Sequence, residues 1–503
     1  MTNRTPHAFR FAPLLTAAAI GCSVGCSLSL HEVTECSSNA DCRTAFGLGS
    51  TCGTDGFCEA PDIPERCGKS FPEDLLSDPE KYEADIVLGS LFSFETHLDT
   101  LQAAELAVRQ VNQNGGLDGR RYAILHCDYE PMAGDDLDDI AAVELLAPYL
   151  ADAVGVAAII GPRGSSRTEA TFNAIRGLDT IVISPSATSP ALTALDGATA
   201  TDDKPGFLWR TAPPDSLQSQ VIAAEMRDRE VTKAAVIFQQ GAYGDALANL
   251  FVTRFTADGG ESAMQFPFEA GSDFSSTVAI VADEIGKGNV EEVLFISSDI
   301  EDYVTFFVSA TATPDLVEQY TVNLGSTTTG DGGLFLVDAA FSTMLLDATA
   351  GSASSLFPKV RGSRPAPAEG VLFNSFSAAY TSTFNEDSTG SAFTPHSYDA
   401  AWLVIYGTAW ANFQESEIGG LGVARGLRKV SSGAPIDILP ASWNTVVDRF
   451  RTGASIDVEG ASGILDFDPT TEETSAPIET WRIVADPAET SGYGFERIDI
   501  VEP

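Results

Sequence analysis

The sequence predicts an α/β fold of two doubly wound lobes on parallel sheets, preceded by a small Cys-rich segment. Three observations carry this. From residue 84 onward, short continuous apolar runs alternate with amphipathic stretches. The alternation restarts after Arg210. Seven of the eight cysteines lie at or before Cys67.

The elements follow in order. Residues 84–88 form an apolar run ending at Gly89-Ser90, the pattern of a buried strand. Residues 101–111 have helical spacing, with Ala104, Val108 and Val111 on one side, and Asn114-Gly115-Gly116 stops them. Strands are predicted at 122–125, 156–160 and 180–183, and helices at 140–149 and 166–178. In the second series, strands fall at 234–238, 263–266, 292–296 and 334–337, and helices at 244–258 and 274–286. Continuous apolar strands separated by amphipathic helices imply sheets covered on both faces. Ligands of such sheets sit beyond the carboxyl ends of the strands. The loops there are 89–98, 161–166, 184–190, 239–243, 297–303 and 338–341, rich in Ser, Thr, Tyr and Asp, which suits a polar solute.

The 503 residues imply more than one domain, and 44% hydrophobic content is enough for full cores. With 71 Asp+Glu against 29 Lys+Arg, the net charge of −42 argues against nucleic-acid binding. At the N-terminus, Arg4 and Arg10 precede a short apolar run at 11–20, too short for a membrane span. Gly21-Cys22 and Gly25-Cys26 follow. This resembles a bacterial lipoprotein signal, with residues 1–25 removed and Cys26, or else Cys22, lipidated. Parity favours Cys26, because six cysteines then remain. The chain is then expected to be extracytoplasmic, facing the periplasm, and held to the membrane by lipid alone.

Residues 36–58 read C-x5-C-x9-C-x5-C. So short a segment needs staples. A metal reading lacks CxxC spacing and has only His31 nearby, so disulfides among Cys36, Cys42, Cys52 and Cys58 are expected, with the pairing open. Cys67 is expected to pair with Cys127. Pro61, Pro64, Pro72 and Pro79 mark 59–81 as a tether, so 26–81 forms a Cys-rich segment and its linker.

Enzyme motifs are sparse. GxSxG, HExxH, CxxC and GxxxxGK[ST] are missing from the sequence. Asp466, Asp468 and Thr470 mimic a DxDxT phosphatase motif but lie near the C-terminus rather than after an N-terminal strand. The five His are scattered. No catalytic residue, metal or cofactor is expected.

Several segments agree in order and spacing with one family. They are Ala103 to Val108, Asn114 to Arg120, Ala158 to Pro162, Ile183-Ser-Pro-Ser-Ala-Thr-Ser-Pro190, Arg210-Thr-Ala-Pro-Pro-Asp215, Ala242-Tyr243-Gly244, Phe393 to Ala401 and Gly460 to Asp468. The chain resembles the type I periplasmic binding proteins, specifically the branched-chain amino-acid (Leu/Ile/Val) receptors, across about 84–485. The resemblance implies a Venus-flytrap with three crossovers, the chain passing between lobes near 211–215, within 351–370 and near 452–460. Lobe one would then be 84–210 and 370–455, and lobe two 211–350 and 456–503. It also implies a ligand carboxylate held by Ser165 and by Ser186, Ala187 and Thr188, an aromatic wall at Tyr243, and an acid for the ligand ammonium at Asp338. Two features depart from the pattern. The first-strand loop lacks the usual Pro and Gly, and Arg163 and Arg167 flank Ser165. The implied function is capture of an amino acid or related small carboxylate for delivery to an ABC importer. The alternative is a sensor that signals to a membrane or surface partner without transport.

Overall fold

A computed structural model describes residues 35–502 apart from 83, 133, 198, 199, 327, 328, 331, 367 and 368. Residues 1–25, Cys22 and Cys26 lie outside the described residues. The first lobe is a six-stranded sheet in the order Lys69–Phe71, Tyr122–Cys127, Ile86–Leu91, Ala158–Ile160, Ile181–Ser184, Leu208–Arg210. All neighbours are parallel except the first strand, which runs antiparallel to Tyr122–Cys127. Strand side chains alternate faces, and both faces are buried. Ile124, Ile160 and Ile183 join one core with Trp209, Trp402 and Trp443. Leu125, Ile159 and Val182 join the other with Val143, Leu146 and Leu150.

The second lobe is a seven-stranded sheet, Ser262–Phe268, Lys233–Gln239, Glu292–Ile296, Leu334–Leu336, Val360–Pro365, Ile478–Ala485, Tyr493–Val501. Its first five strands are parallel and the last two antiparallel. Phe274, Phe295, Phe306 and Tyr303 form an aromatic core over the parallel part, with ring centroids 4.6–6.1 Å apart. The sheet is therefore mixed rather than all parallel. The antiparallel hairpin closes one edge, and Glu496, Arg497 and Asp499 on its outer strand discourage further strand pairing.

Two assignments need correction. Residues 456–467 were expected in lobe two. Instead, Ile456–Gly460 pairs parallel with Ala434–Asp437, and Val458, Leu465 and Phe467 pack into the first-lobe core. Phe467 meets Trp209 edge-on at 5.2 Å. The third passage between lobes thus falls after Phe467 and before Ile478, where the chain joins the second sheet. The tether expected at 59–81 is partly built into lobe one, since Lys69–Phe71 is an edge strand there.

Disulfides join Cys36–Cys52, Cys42–Cys58 and Cys67–Cys127. The helix Asn39–Phe46 starts at a Ser38 capping box and docks on lobe one. Asn39 Nδ2 donates to Asp152 at 2.7 Å, and Arg43 donates to the Asp152 carbonyl. Among the described residues, no helix is long and apolar enough to cross a membrane.

Candidate functional site

The site lies between the lobes, where strand ends of both sheets face each other. On the first lobe, Gly161 turns the chain out of strand Ala158–Ile160 with φ +92, and a Cβ there would sit 2.4 Å from the Leu91 carbonyl oxygen. The helix Ser165–Ala174 then begins. The next strand end, at Ser184, is stitched to this turn. Ser184 Oγ donates to the Pro162 carbonyl at 2.7 Å and accepts from Ala187 N at 3.1 Å. Gly164 N donates to Ser186 Oγ at 3.1 Å, and Ser189 N donates to Ser165 Oγ at 3.1 Å. Arg210 fixes the same loop from behind, donating to the carbonyls of Ala187 at 3.1 Å and Ser189 at 2.7 Å.

The second lobe supplies Tyr243 before helix Gly244–Ala257, Ser297 to Asp299 after strand Glu292–Ile296, and Asp338 after strand Leu334–Leu336. Gln218 Nε2 donates to Asp338 Oδ1 and, at 3.1 Å, to Ser363 Oγ. The lobes are closed on one another. Ala242 N donates to Ser166 Oγ at 3.1 Å, and Ser189 Oγ donates to the Ala242 carbonyl at 2.6 Å. Arg167 pairs with Asp299 across the cleft at 2.6 Å and with Asp139 of its own lobe at 2.6 Å.

Two chambers share Arg163, Ser298 and Ala339. The inner one, about 20 Å³, is bordered by Ser186, Tyr243, Asp338 and Phe393. The outer one, about 250 Å³, is bordered by Glu95 to His97 of the first-strand loop, by Asp99 in the first turn of helix Leu98–Gln113, and by Glu386 and Asp387. Of the residues expected from the sequence, Ser186, Tyr243 and Asp338 line the inner chamber. Ser165, Ala187 and Thr188 are buried behind it, the Ser165 hydroxyl and the Ala187 N–H already engaged within the loops. Arg167 is a cross-lobe ion pair, not a chamber wall.

Sequence reasoning missed Asp215, Gln218, His396 and Phe393 as site neighbours. Asp215, His396 and Phe393 stood within the quoted motifs, but nothing in a linear motif shows which side chains meet across a cleft. Burial raises the Asp215 carboxyl to about 7, against the Thr188 hydroxyl and Arg210, which favour its charge. Burial and then the neighbouring Asp215 push Asp338 well above the carboxylate range. Asp299 goes the other way: burial would raise it, but Arg167 and the hydrogen bonds it accepts hold it low. Among the described residues, Tyr243 Oη is buried without a hydrogen-bond partner, and the buried Asp215 carboxyl has the Thr188 hydroxyl as its polar neighbour. Such groups are costly in a protein interior unless they have another use.

A Ser, His and acid do meet elsewhere. Ser90 Oγ lies 2.6 Å from His126 Nδ1, and His126 Nε2 lies 3.6 Å from Glu105 Oε2. Ser90 and His126 belong to adjacent strands of the first sheet and are fully buried, away from the cleft chambers. Cys36, Cys42 and Cys52 bring their sulfurs within 4.8 Å of one another, but all three are in disulfides and offer no thiolate.

A receptor family ligand binding region model matches residues 99–472. The chain belongs to this family. A curated relative is a chemotactic signal transduction system substrate-binding protein, BasB, of Halobacterium salinarum. It is 25% identical over 423 residues, covering 78% of this chain and 86% of the relative. The fold is that of the type I periplasmic binding proteins. It matches a branched-chain amino-acid transporter substrate-binding protein, LivJ, from Streptococcus pneumoniae, solved with isoleucine, at TM-score 0.58 and 17% identity over 82% of this chain and 100% of that one. It also matches an ABC-transporter solute-binding protein from Rhodopseudomonas palustris, solved with 3,4-dihydroxybenzoic acid, at TM-score 0.60 and 14% identity over 83% and 98%.

Proposed function

We propose that the chain is an extracytoplasmic solute-binding protein that closes its lobes on an amino acid or related small carboxylate and performs no chemistry on it. The observation that carries this reading is a cleft closed between the lobes, whose inner chamber is bordered by Ser186 of one lobe and by Asp338 and Tyr243 of the other, the Tyr243 hydroxyl buried without a partner among the described residues. The loops holding Ser165, Ser186, Ala187 and Thr188 take the carboxylate, and Tyr243 and Asp338 complete the pocket on closure. An ammonium beside Asp338 and Asp215 would draw both carboxyls into their charged form. Delivery to an ABC permease is the first reading, with the chain held to the membrane by a lipid on Cys26 or Cys22. Sensing is the second, and the chemotactic relative favours it.

A thermal-shift screen of amino acids and small carboxylates, followed by calorimetry, tests the reading. Ser165→Ala with Thr188→Ala should weaken the best ligand at least about tenfold in a folded protein. Unchanged affinity would place the pocket elsewhere, and turnover of the ligand would end the non-enzymatic reading. Growth on the ligand and swimming toward it, compared in a deletion strain, separate delivery from sensing.

A further inference from the structure

Arg163 stands at the junction of the two chambers and lines both. It is 8% exposed, so its charge is held in the interior. The protein contacts of its guanidinium are long: Nη1 is 3.4 Å from Ser391 Oγ and 3.9 Å from Asp99 Oδ1, and the Phe393 ring centroid lies 5.4 Å away. Asp99 is itself engaged by Thr394 Oγ1 at 2.6 Å. Arg167, one helical turn on, differs in every respect: its donors go to the Arg163 carbonyl at 2.9 Å and to Asp139 and Asp299 at 2.6 Å. A guanidinium has a planar fork of donors that matches an oxyanion two bonds at a time. A buried one facing a chamber with most of that fork unused is built to receive an anion.

The rest of the outer chamber has the opposite character. Glu95, Glu386 and Asp387 are exposed at its mouth and Asp99 is half-buried within it. His97 adds no positive charge, because burial drives its pKa well down. Between these groups, Leu98, Ile300 and Met344 offer apolar wall. The buried Tyr243 hydroxyl, without a partner among the described residues, faces the inner chamber on the other side of Arg163.

We infer that Arg163 joins the loops of Ser165, Ser186, Ala187 and Thr188 in receiving the carboxylate of the bound solute, and that Glu95, Asp99, Glu386 and Asp387 receive a positive group at its far end, with an apolar stem between. The solute class is a basic amino acid. This rests on the cleft reading above and narrows it. A second negative charge on the solute would meet the mouth carboxylates, and a ring bearing only a carboxylate would leave them unanswered.

The test is calorimetry on the full chain with four probes: L-arginine, L-isoleucine, L-glutamate and benzoate. L-Arginine should bind tightest, and L-glutamate should give no heat. Arg163→Gln should weaken L-arginine by roughly 10- to 100-fold, and Arg163→Lys should recover part of the loss. Glu386→Gln with Asp387→Asn, at exposed positions that do not threaten folding, should weaken L-arginine and leave L-isoleucine unchanged. Unaltered L-arginine affinity in a folded Arg163→Gln protein overturns the inference. Tighter binding of L-isoleucine, L-glutamate or benzoate also overturns it while leaving the cleft reading intact. If none of the four binds, the inference falls, and the wider screen alone decides the cleft reading.

Discussion

Tyr243 is 6% exposed, and its hydroxyl has no partner among the described residues. An unanswered buried hydroxyl costs stability, so Tyr243→Phe should leave the unliganded protein as stable or raise its stability by up to about 1 kcal/mol. The same change should weaken the ligand about tenfold. Thermal melts and titrations of one sample read both effects, and a loss of stability would show that the hydroxyl serves the fold. His396 gives a pH signature. Burial lowers it from 6.5 to about 4, although its Nδ1 meets the Thr211 carbonyl at 3.2 Å. The unfolded chain therefore takes up a proton near pH 6.5 that the folded chain refuses until about 4, and stability is lost across that window as pH falls. His396→Gln should remove up to about 1.4 kcal/mol per pH unit of that slope, seen by comparing urea midpoints of variant and wild type at pH 6.5 and pH 5. Equal slopes would mean that His396 takes up its proton at the same pH in the folded and unfolded chain.

At the scale of elements, the closed cleft is latched by Arg167, which links its own helix Ser165–Ala174 to the loop after strand Glu292–Ile296. Asp299→Asn keeps the Gln239 neighbour but removes the charge facing Arg167. Arg167 retains Asp139, so the lobes should survive while the closed arrangement loses favour. Affinity should fall about tenfold and X-ray scattering of the unliganded protein should show a larger radius. An unchanged radius and affinity would make the pair incidental to closure. Most strands of both parallel regions are legible because continuous apolar runs report burial on two faces, but Leu208–Arg210 and Val360–Pro365, short or carrying Arg361 and Arg364, are not. Nor is the C-terminal hairpin. Strand Ile478–Ala485 mixes Ile478, Trp481 and Ile483 with Glu479 and Thr480, both buried. Glu479 is tolerated there because Arg364 and Arg497 pair with it at 3.1 and 2.9 Å. Such pairing across long sequence distances hides a strand from any pattern of hydrophobicity. Of the candidate site, the sequence pointed to the loops rather than the wall: Ser186, Tyr243 and Asp338 line one chamber, whereas Ser165, Ala187 and Thr188 are buried behind it. Its acidic outer wall was not legible, because Glu386 and Asp387 belong to an exposed loop with no motif of its own.

For the whole molecule, the net charge of −42 is the dominant long-range term. Like charges spread over one surface repel, and salt screens them within about 10 Å at about 0.1 M. The melting temperature should therefore rise as sodium chloride increases from about 0.05 M to about 1 M. A fall over that range would show that the specific ion pairs, such as Arg229 with Glu292 at 2.9 Å, outweigh the general repulsion.

The Cys67–Cys127 bond also sets how the protein carries mechanical load. Tension arriving from the N-terminal side enters lobe one through a covalent link at the end of strand Tyr122–Cys127, not only through the hydrogen bonds of the edge strand beside it. The loop closed by this bond spans a sequence separation of 60 residues and includes the strand Ile86–Leu91 and the helix Leu98–Gln113. Stretched from its ends, the oxidised chain should withhold about 20 nm of contour length, which reductant should release.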